Sequence, residues 1–269
     1  MSAINKVFIK LKEEGYGALI GYVMAGDPEP KYTPKIAEAL IKGGIDILEL
    51  GVPFSDPIAD GPTIQAASTQ ALREGTTPKI VLEIAELIKR KHDAPIALMT
   101  YFNPVFRMGL EKFFTSAKNY LIDATIIPDL PLEESQDYRA AASAHGIDTI
   151  FLAAPSTSNE RLKKIVDCSS GFLYLVSRFG VTGAKASMED STLNLVKRVL
   201  PFTSGRISLA VGFGVSKPEH VKRIIGVGAD GVIVGSLFVD IIKKNRNNPD
   251  NMLIELESAA RKLKDATRR

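Results

Sequence analysis

The chain has 269 residues, 45% hydrophobic and 24% charged, which is enough to bury a large core and fits one α/β domain over 1–269 better than several small ones. Its 34 basic and 31 acidic residues are spread along the chain, so the net charge of +3 marks neither a nucleic-acid face nor a membrane face. The single cysteine, Cys168, excludes an internal disulfide, and no apolar stretch is long enough to span a membrane or framed like a secretory signal, so a reducing, cytoplasmic setting is expected.

In chain order, ALIGYVM (18–24) is the first strand candidate, followed by a helical pattern in EPKYTPKIAEALIKGG (29–44). IDILELG (45–51) and IALMTYF (96–102) are the second and third strands, with helical spacing in IQAASTQALREG (64–75) and TPKIVLEIAELIKRK (77–91) between them. ATIIPDL (124–130), DTIFLAA (148–154) and FLYLVSR (172–178) continue the series, alternating with EESQDYRAAASAHG (133–146) and NERLKKIVDC (159–168). STLNLVKRVL (191–200), ISLAVGFG (207–214), KPEHVKRIIGVG (217–228) and DGVIVGS (230–236) complete it, and the basic tail RKLKDATRR reads as a solvated helix end. Eight strand-then-helix units in this length predict a (β/α)8 TIM barrel, because parallel strands need crossover helices and both faces of the sheet must be covered. The competing architecture is a doubly wound open sheet. No GxGxxG follows the first strand, and the glycine-rich loops gather after the seventh and eighth strands, which favours the barrel.

Alternation along IDILELG puts Ile45, Ile47 and Glu49 on one face, with Glu49 at the strand's C-terminal end. That is the rim on which barrel enzymes build their sites, and a carboxyl held there among apolar neighbours tends toward a raised pKa suited to proton transfer. An ion pair or a buried hydrogen bond is the structural alternative. In the loop that follows, Asp56 and Asp60 adjoin turn formers, so Asx-turn or N-cap chemistry competes with a role in binding. The loop from Gly51 to Pro62 is long for a βα connection, which favours function for Asp60 over Asp56.

Rim loops after the sixth, seventh and eighth strands read SRFGVTGAKAS, GFGVSKPEH and GSLFVDIIKK. Their glycine and serine amides, with a short helix opening at Gly235 and Ser236, suit a phosphate group without a basic side chain. SRFGVTGAKAS also reads as a candidate lid, or as an ordinary surface loop. His92, His145 and His220 lack ligand spacing, so no metal site is expected; there is no GxSxG elbow, and no strand core holds a lysine for imine chemistry.

LELGVPFSDPIADGPTIQAAS, with AGDP near the first strand, MTYFNPVF at the third, IIPDLPLEE at the fourth, SRFGVTG at the sixth and GFGVSKPE at the seventh, resembles the tryptophan synthase alpha subunit family along nearly the whole chain. The resemblance implies a lyase without a cofactor of its own that cleaves indole-3-glycerol phosphate to indole and glyceraldehyde 3-phosphate, and a pyridoxal phosphate-carrying beta subunit as partner in an α2β2 assembly. It implies Glu49 as the acid–base carboxylate and Asp60 as the acceptor of the indole N–H. It further implies Tyr174 near the glycerol portion, Gly183, Gly214, Gly235 and Ser236 at the phosphate, and Tyr22, Met99, Ile126, Leu152 and Phe213 along the indole pocket. Thr182 matches the lid residue that meets the catalytic loop, and Asp56 lies in the loop that signals to the beta subunit. For Met99, Ile126 and Leu152 the barrel core is an equal reading. The chain departs from the family pattern at Gly21 and Met24, where proline and threonine are more frequent, at Phe179 in the lid, and before the fourth strand, where a common glycine is missing. Two other classes stand beside this one: a catalytically weak subunit that mainly activates a partner, and a different phosphosugar isomerase or synthase on the same barrel.

Overall fold

The computed structural model describes residues 1–177, 185–212 and 214–269, with 185–190 described by backbone alone. Helix α1 (Ala3–Glu13) precedes β1 (Ala18–Met24), α2 (Thr33–Lys42) and β2 (Ile47–Gly51). Then come α3 (Pro62–Arg73), α4 (Pro78–Lys89), β3 (Ile96–Met99), α5 (Phe102–Met108), α6 (Leu110–Asn119), β4 (Ala124–Ile126) and α7 (Gln136–Ala144). The fifth barrel strand is split into β5 (Asp148–Ile150) and β6 (Leu152–Ala153), and α8 (Asn159–Cys168), β7 (Phe172–Val176) and α9 (Lys185–Thr203) follow. β8 (Ser208–Gly212), α10 (Pro218–Gly226), β9 (Gly231–Val234), α11 (Ser236–Lys244) and α12 (Pro249–Asp265) end the chain.

Every strand pair is parallel, and β1 pairs with both β2 and β9, so the first strand meets the last. The seam lies in the split strand: β5 pairs with β4 and β6 with β7, while the Phe151 carbonyl between them accepts from Tyr174 N at 3.0 Å. An open doubly wound sheet has free edges where this sheet has partners. The fold is therefore a (β/α)8 barrel.

The period-two pattern sorts the side chains into two cores. Leu19, Val23, Leu48, Leu50, Leu98 and Val211 face outward to the helices, whereas Ile20, Ile47, Ala97, Ile126, Phe172 and Ile233 fill the barrel. Ile45 departs from its expected face: its amide still bonds to Leu40 O at 3.1 Å as the chain leaves α2, so it falls outside β2 and packs in the outer core. There it fills space left by Gly21, where a Cβ would stand 3.1 Å from Ile45 Cγ2 and 3.4 Å from Phe238 Cε2. Helix α1, which has no strand before it to reveal it, plugs the bottom of the barrel with Ile4, Phe8 and Leu11, at spacings that put them on one face. Burying each such side chain is worth about 1.5–3 kcal/mol.

The basic tail is docked and not merely solvated. Leu263 and Thr267 are buried, Lys264 Nζ lies 2.8 Å from Asp46 Oδ2, and that same oxygen accepts from Leu19 N at 2.7 Å, tying α12 to β1 and β2. Strand β3 ends at Met99, not Phe102, because Phe102 N is capped by Asp129 Oδ1 at 2.9 Å and opens α5.

Where the glycine before β4 is missing, Leu121 takes φ +62°. Its amide bonds to Lys118 O at 3.1 Å and that of Ile122 to Ala117 O at 2.9 Å, a Schellman closure of α6 with leucine at the position that favours glycine. The equivalent closure of α2 uses Gly44 at φ +102°. Leu121→Gly is accordingly expected to stabilise the fold by about 1 kcal/mol, read as a higher urea midpoint at unchanged slope.

Candidate active site

Glu49 lies on the inner face of β2, in register with Tyr22 of β1 and Ala97 of β3. It is 1% exposed, and its Oε2 has no hydrogen-bond partner among the described residues, so no ion pair or structural hydrogen bond occupies that oxygen. Burial, reinforced by the charge of Asp60, pushes its carboxyl up to about 8.

Asp60 reaches the same cavity from the loop between β2 and α3. It does not cap α3: the N-cap is Gly61, with no side-chain bond to the helix. Its Oδ2 accepts from the Tyr101 hydroxyl at 3.1 Å, and that hydroxyl accepts from Ala59 N at 3.0 Å. The loop is held a second time by Ser68 of α3, whose Oγ accepts from Phe54 N and donates to Phe54 O, both at 2.9 Å, while the Phe54 ring stacks on Tyr101 at 5.1 Å. Burial pushes the Asp60 carboxyl up to about 6, and the Tyr101 bond holds it back from rising further. Tyr101→Phe keeps the stack and removes that bond, so Asp60 should titrate above about 6, which carbon NMR of a labelled carboxyl would read. Asp56 lies exposed in the loop and does not line the cavity.

The cavity and the open solvent at its mouth together span about 440 Å³ of empty space. Tyr22, Met99 and Ile64 line it from one apolar cluster, Tyr174 and Ile233 from the barrel core, and Gly214, Gly235 and Ser236 complete the lining. Gly235 is the N-cap of α11, so the helix start faces this space. Two glycines make room for the phenols: a Cβ on Gly51 would stand 2.3 Å from the Tyr22 hydroxyl, and one on Gly212 would stand 2.7 Å from that of Tyr174. Burial, with the nearby carboxyls, keeps both phenols well above their ordinary range and so neutral.

Of the residues singled out in the sequence, Glu49, Asp60, Tyr22, Met99, Tyr174, Gly214, Gly235 and Ser236 meet at this cavity. Ile126 is fully buried in the barrel core, and Leu152 packs against that core and lines a separate cleft with Ile127 and Arg161. Thr182, Gly183, Phe213 and the lid position Phe179 lie outside the described residues. Tyr101, Ile64 and Ile233 were not singled out; Tyr101 carried a signal, a hydroxyl just past the C-terminal end of a strand. Among the described residues no group of three or more His, Cys, Asp or Glu side chains is placed to hold a metal ion, and no helix is long and apolar enough to cross a membrane.

The family model for the tryptophan synthase alpha chain matches residues 8–268. The chain belongs to the tryptophan synthase alpha chain family. A tryptophan synthase alpha chain from Methanoregula boonei is 46% identical over 266 residues, spanning 99% of this chain and 98% of that one. The solved structure of tryptophan synthase subunit alpha from Legionella pneumophila superposes with a TM-score of 0.91 at 32% identity, covering 99% of this chain and 98% of that one. The tryptophan synthase complex from Pyrococcus furiosus matches with a TM-score of 0.84 at 38% identity over 93% of this chain and 98% of its own. The buried carboxyl of Glu49 and the loop-borne carboxyl of Asp60 are the two carboxyls among the described residues lining this cavity.

Proposed function

We propose that the chain is a lyase that cleaves indole-3-glycerol phosphate to indole and glyceraldehyde 3-phosphate, working in the cytoplasm beside a tryptophan synthase beta subunit in an α2β2 assembly. The observation that carries this reading is the sharing of one cavity by two carboxyls with different environments, Glu49 sealed among apolar groups and Asp60 hydrogen-bonded at the rim. Near neutrality Glu49 is protonated and Asp60 ionised, because their carboxyls titrate at about 8 and about 6.

The neutral Glu49 carboxyl gives its proton to indole C3, which leaves the ring cationic. Asp60 accepts the indole N–H and stabilises that charge as it develops. The Glu49 carboxylate then takes the proton of the glycerol hydroxyl next to C3, the bond from C3 to that carbon breaks, and its electron pair returns to the ring as the aldehyde forms. Indole keeps the added proton at C3, and Glu49 ends protonated as it began. The amides of Gly214, Gly235 and Ser236 and the start of α11 suit the substrate phosphate, and none of the described residues lining the cavity is Lys or Arg.

The test is release of indole and glyceraldehyde 3-phosphate from indole-3-glycerol phosphate, measured for the chain alone and again with a beta subunit. Release by the chain alone, increased in the complex, is expected. No release in either state would leave only a subunit that activates its partner.

A further inference from the structure

We propose that Tyr22 is a specificity-determining residue whose hydroxyl admits indoles bearing a hydroxyl on the ring, so that the substrate class extends to ring-hydroxylated indole glycerol phosphates. The inference rests on the cleavage reading above and deepens it.

Tyr22 is 5% exposed and lies along the wall between two glycines. Its base sits beside Gly235, where a Cβ would stand 3.3 Å from Tyr22 Cβ, and its hydroxyl sits over Gly51, where a Cβ would stand 2.3 Å away. The ring therefore runs from the amides suited to phosphate toward β2 and β3, and Gly51 is in register with Met99. Its hydroxyl ends at the part of the cavity that would take the heterocycle.

That hydroxyl has no hydrogen-bond partner among the described residues, and it is not one of the sealed polar atoms like Glu49 Oε2 but borders the open cavity. Tyr101, by contrast, uses its hydroxyl both as donor to Asp60 and as acceptor from Ala59. Phenylalanine would fill the space over Gly51 equally well. A phenol there, on a side chain packed with Ile64 and Met99, loses contact with water when an unsubstituted ring enters and gains no hydrogen bond in exchange. A ring hydroxyl restores the bond. The site thus penalises a hydroxylated ring less than its added volume alone would suggest, and the absence of a Cβ at Gly51 is what leaves room for the Tyr22 hydroxyl.

The experiment runs the proposed reaction backward, condensing glyceraldehyde 3-phosphate with indole or with 4-, 5-, 6- or 7-hydroxyindole. The bond forms between C3 and the aldehyde carbon, C3 gives up its proton, and the aldehyde oxygen becomes a hydroxyl. The reading is the ratio of kcat/KM for each hydroxyindole to that for indole, which is independent of the fraction of folded enzyme. For at least one isomer the wild-type ratio should be near one or above, and Tyr22→Phe should lower it about tenfold, the worth of one net hydrogen bond. A ratio that stays within about twofold in Tyr22→Phe overturns the role of the hydroxyl while indole turnover still upholds the cleavage reading. Failure of the wild-type chain to condense indole at all overturns both.

Discussion

Glu49→Gln is expected to lower the rate of indole release by about 10²–10⁴-fold, the range for losing a general acid–base group, while making the folded chain more resistant to unfolding at alkaline pH. The two effects have one origin. A carboxyl raised from 4.5 to about 8 keeps its proton in the folded state where the unfolded chain has already released it. Its contribution to folding is therefore most favourable below about pH 4.5, falls as pH rises through the interval to about 8, and stays at its lowest above that. The span corresponds to about 3–5 kcal/mol, and a neutral glutamine does not pay it. Urea unfolding of both proteins at pH 5 and pH 9 isolates the term, since all other titrations are common to the pair. The variant should gain on the wild type as pH rises. A stability gap that is the same at both pH values would mean that Glu49 is solvated or paired, contrary to its 1% exposure and its unpartnered oxygen.

Asp60→Asn is expected to lower the cleavage rate by about 10²–10³-fold, the loss seen when one group aimed at developing charge is removed. Asparagine can still accept from the indole N–H, and it can still accept from Tyr101, so binding should weaken much less than turnover. The missing negative charge has a second effect. Asp60 helps raise the Glu49 carboxyl, so in the variant Glu49 should titrate below about 8, and any remaining activity should fall off at lower pH than in the wild type. An alkaline limb at the wild-type position would show that the two carboxyls are not coupled across the cavity.

Strands β1, β2, β7 and β8 were legible as nearly continuous apolar runs, because both of their faces are buried in an apolar environment. Short strands gave less: β4 and β5 have three residues each, and the break at Phe151, where the ring closes, leaves no mark on a continuous apolar run. Helix α1 and all but the last turn of α12 escaped for another reason. They do not alternate with strands as crossovers do, so strand–helix arithmetic does not require them, although Met252, Leu256, Ala260 and Leu263 are spaced to lie on one face of α12. In the site, Glu49 was legible from an acidic residue amid apolar alternation, whereas Tyr101 depends on a loop folding back over the end of β3, a contact 41 residues apart. Ile45 shows the limit of alternation at a helix exit, where the backbone bond to Leu40 delays the strand by two residues and turns the side chain to the other core.

The pH dependence of kcat/KM for cleavage, followed from pH 5 to pH 10, tests most directly whether one neutral and one ionised carboxyl act together. Asp60 must be ionised and Glu49 protonated in the free enzyme, so the profile should be a bell with limbs near pH 6 and pH 8. A rate that keeps rising through pH 9 would contradict it, because Glu49 would then start the reaction ionised, with no proton to place on the indole ring.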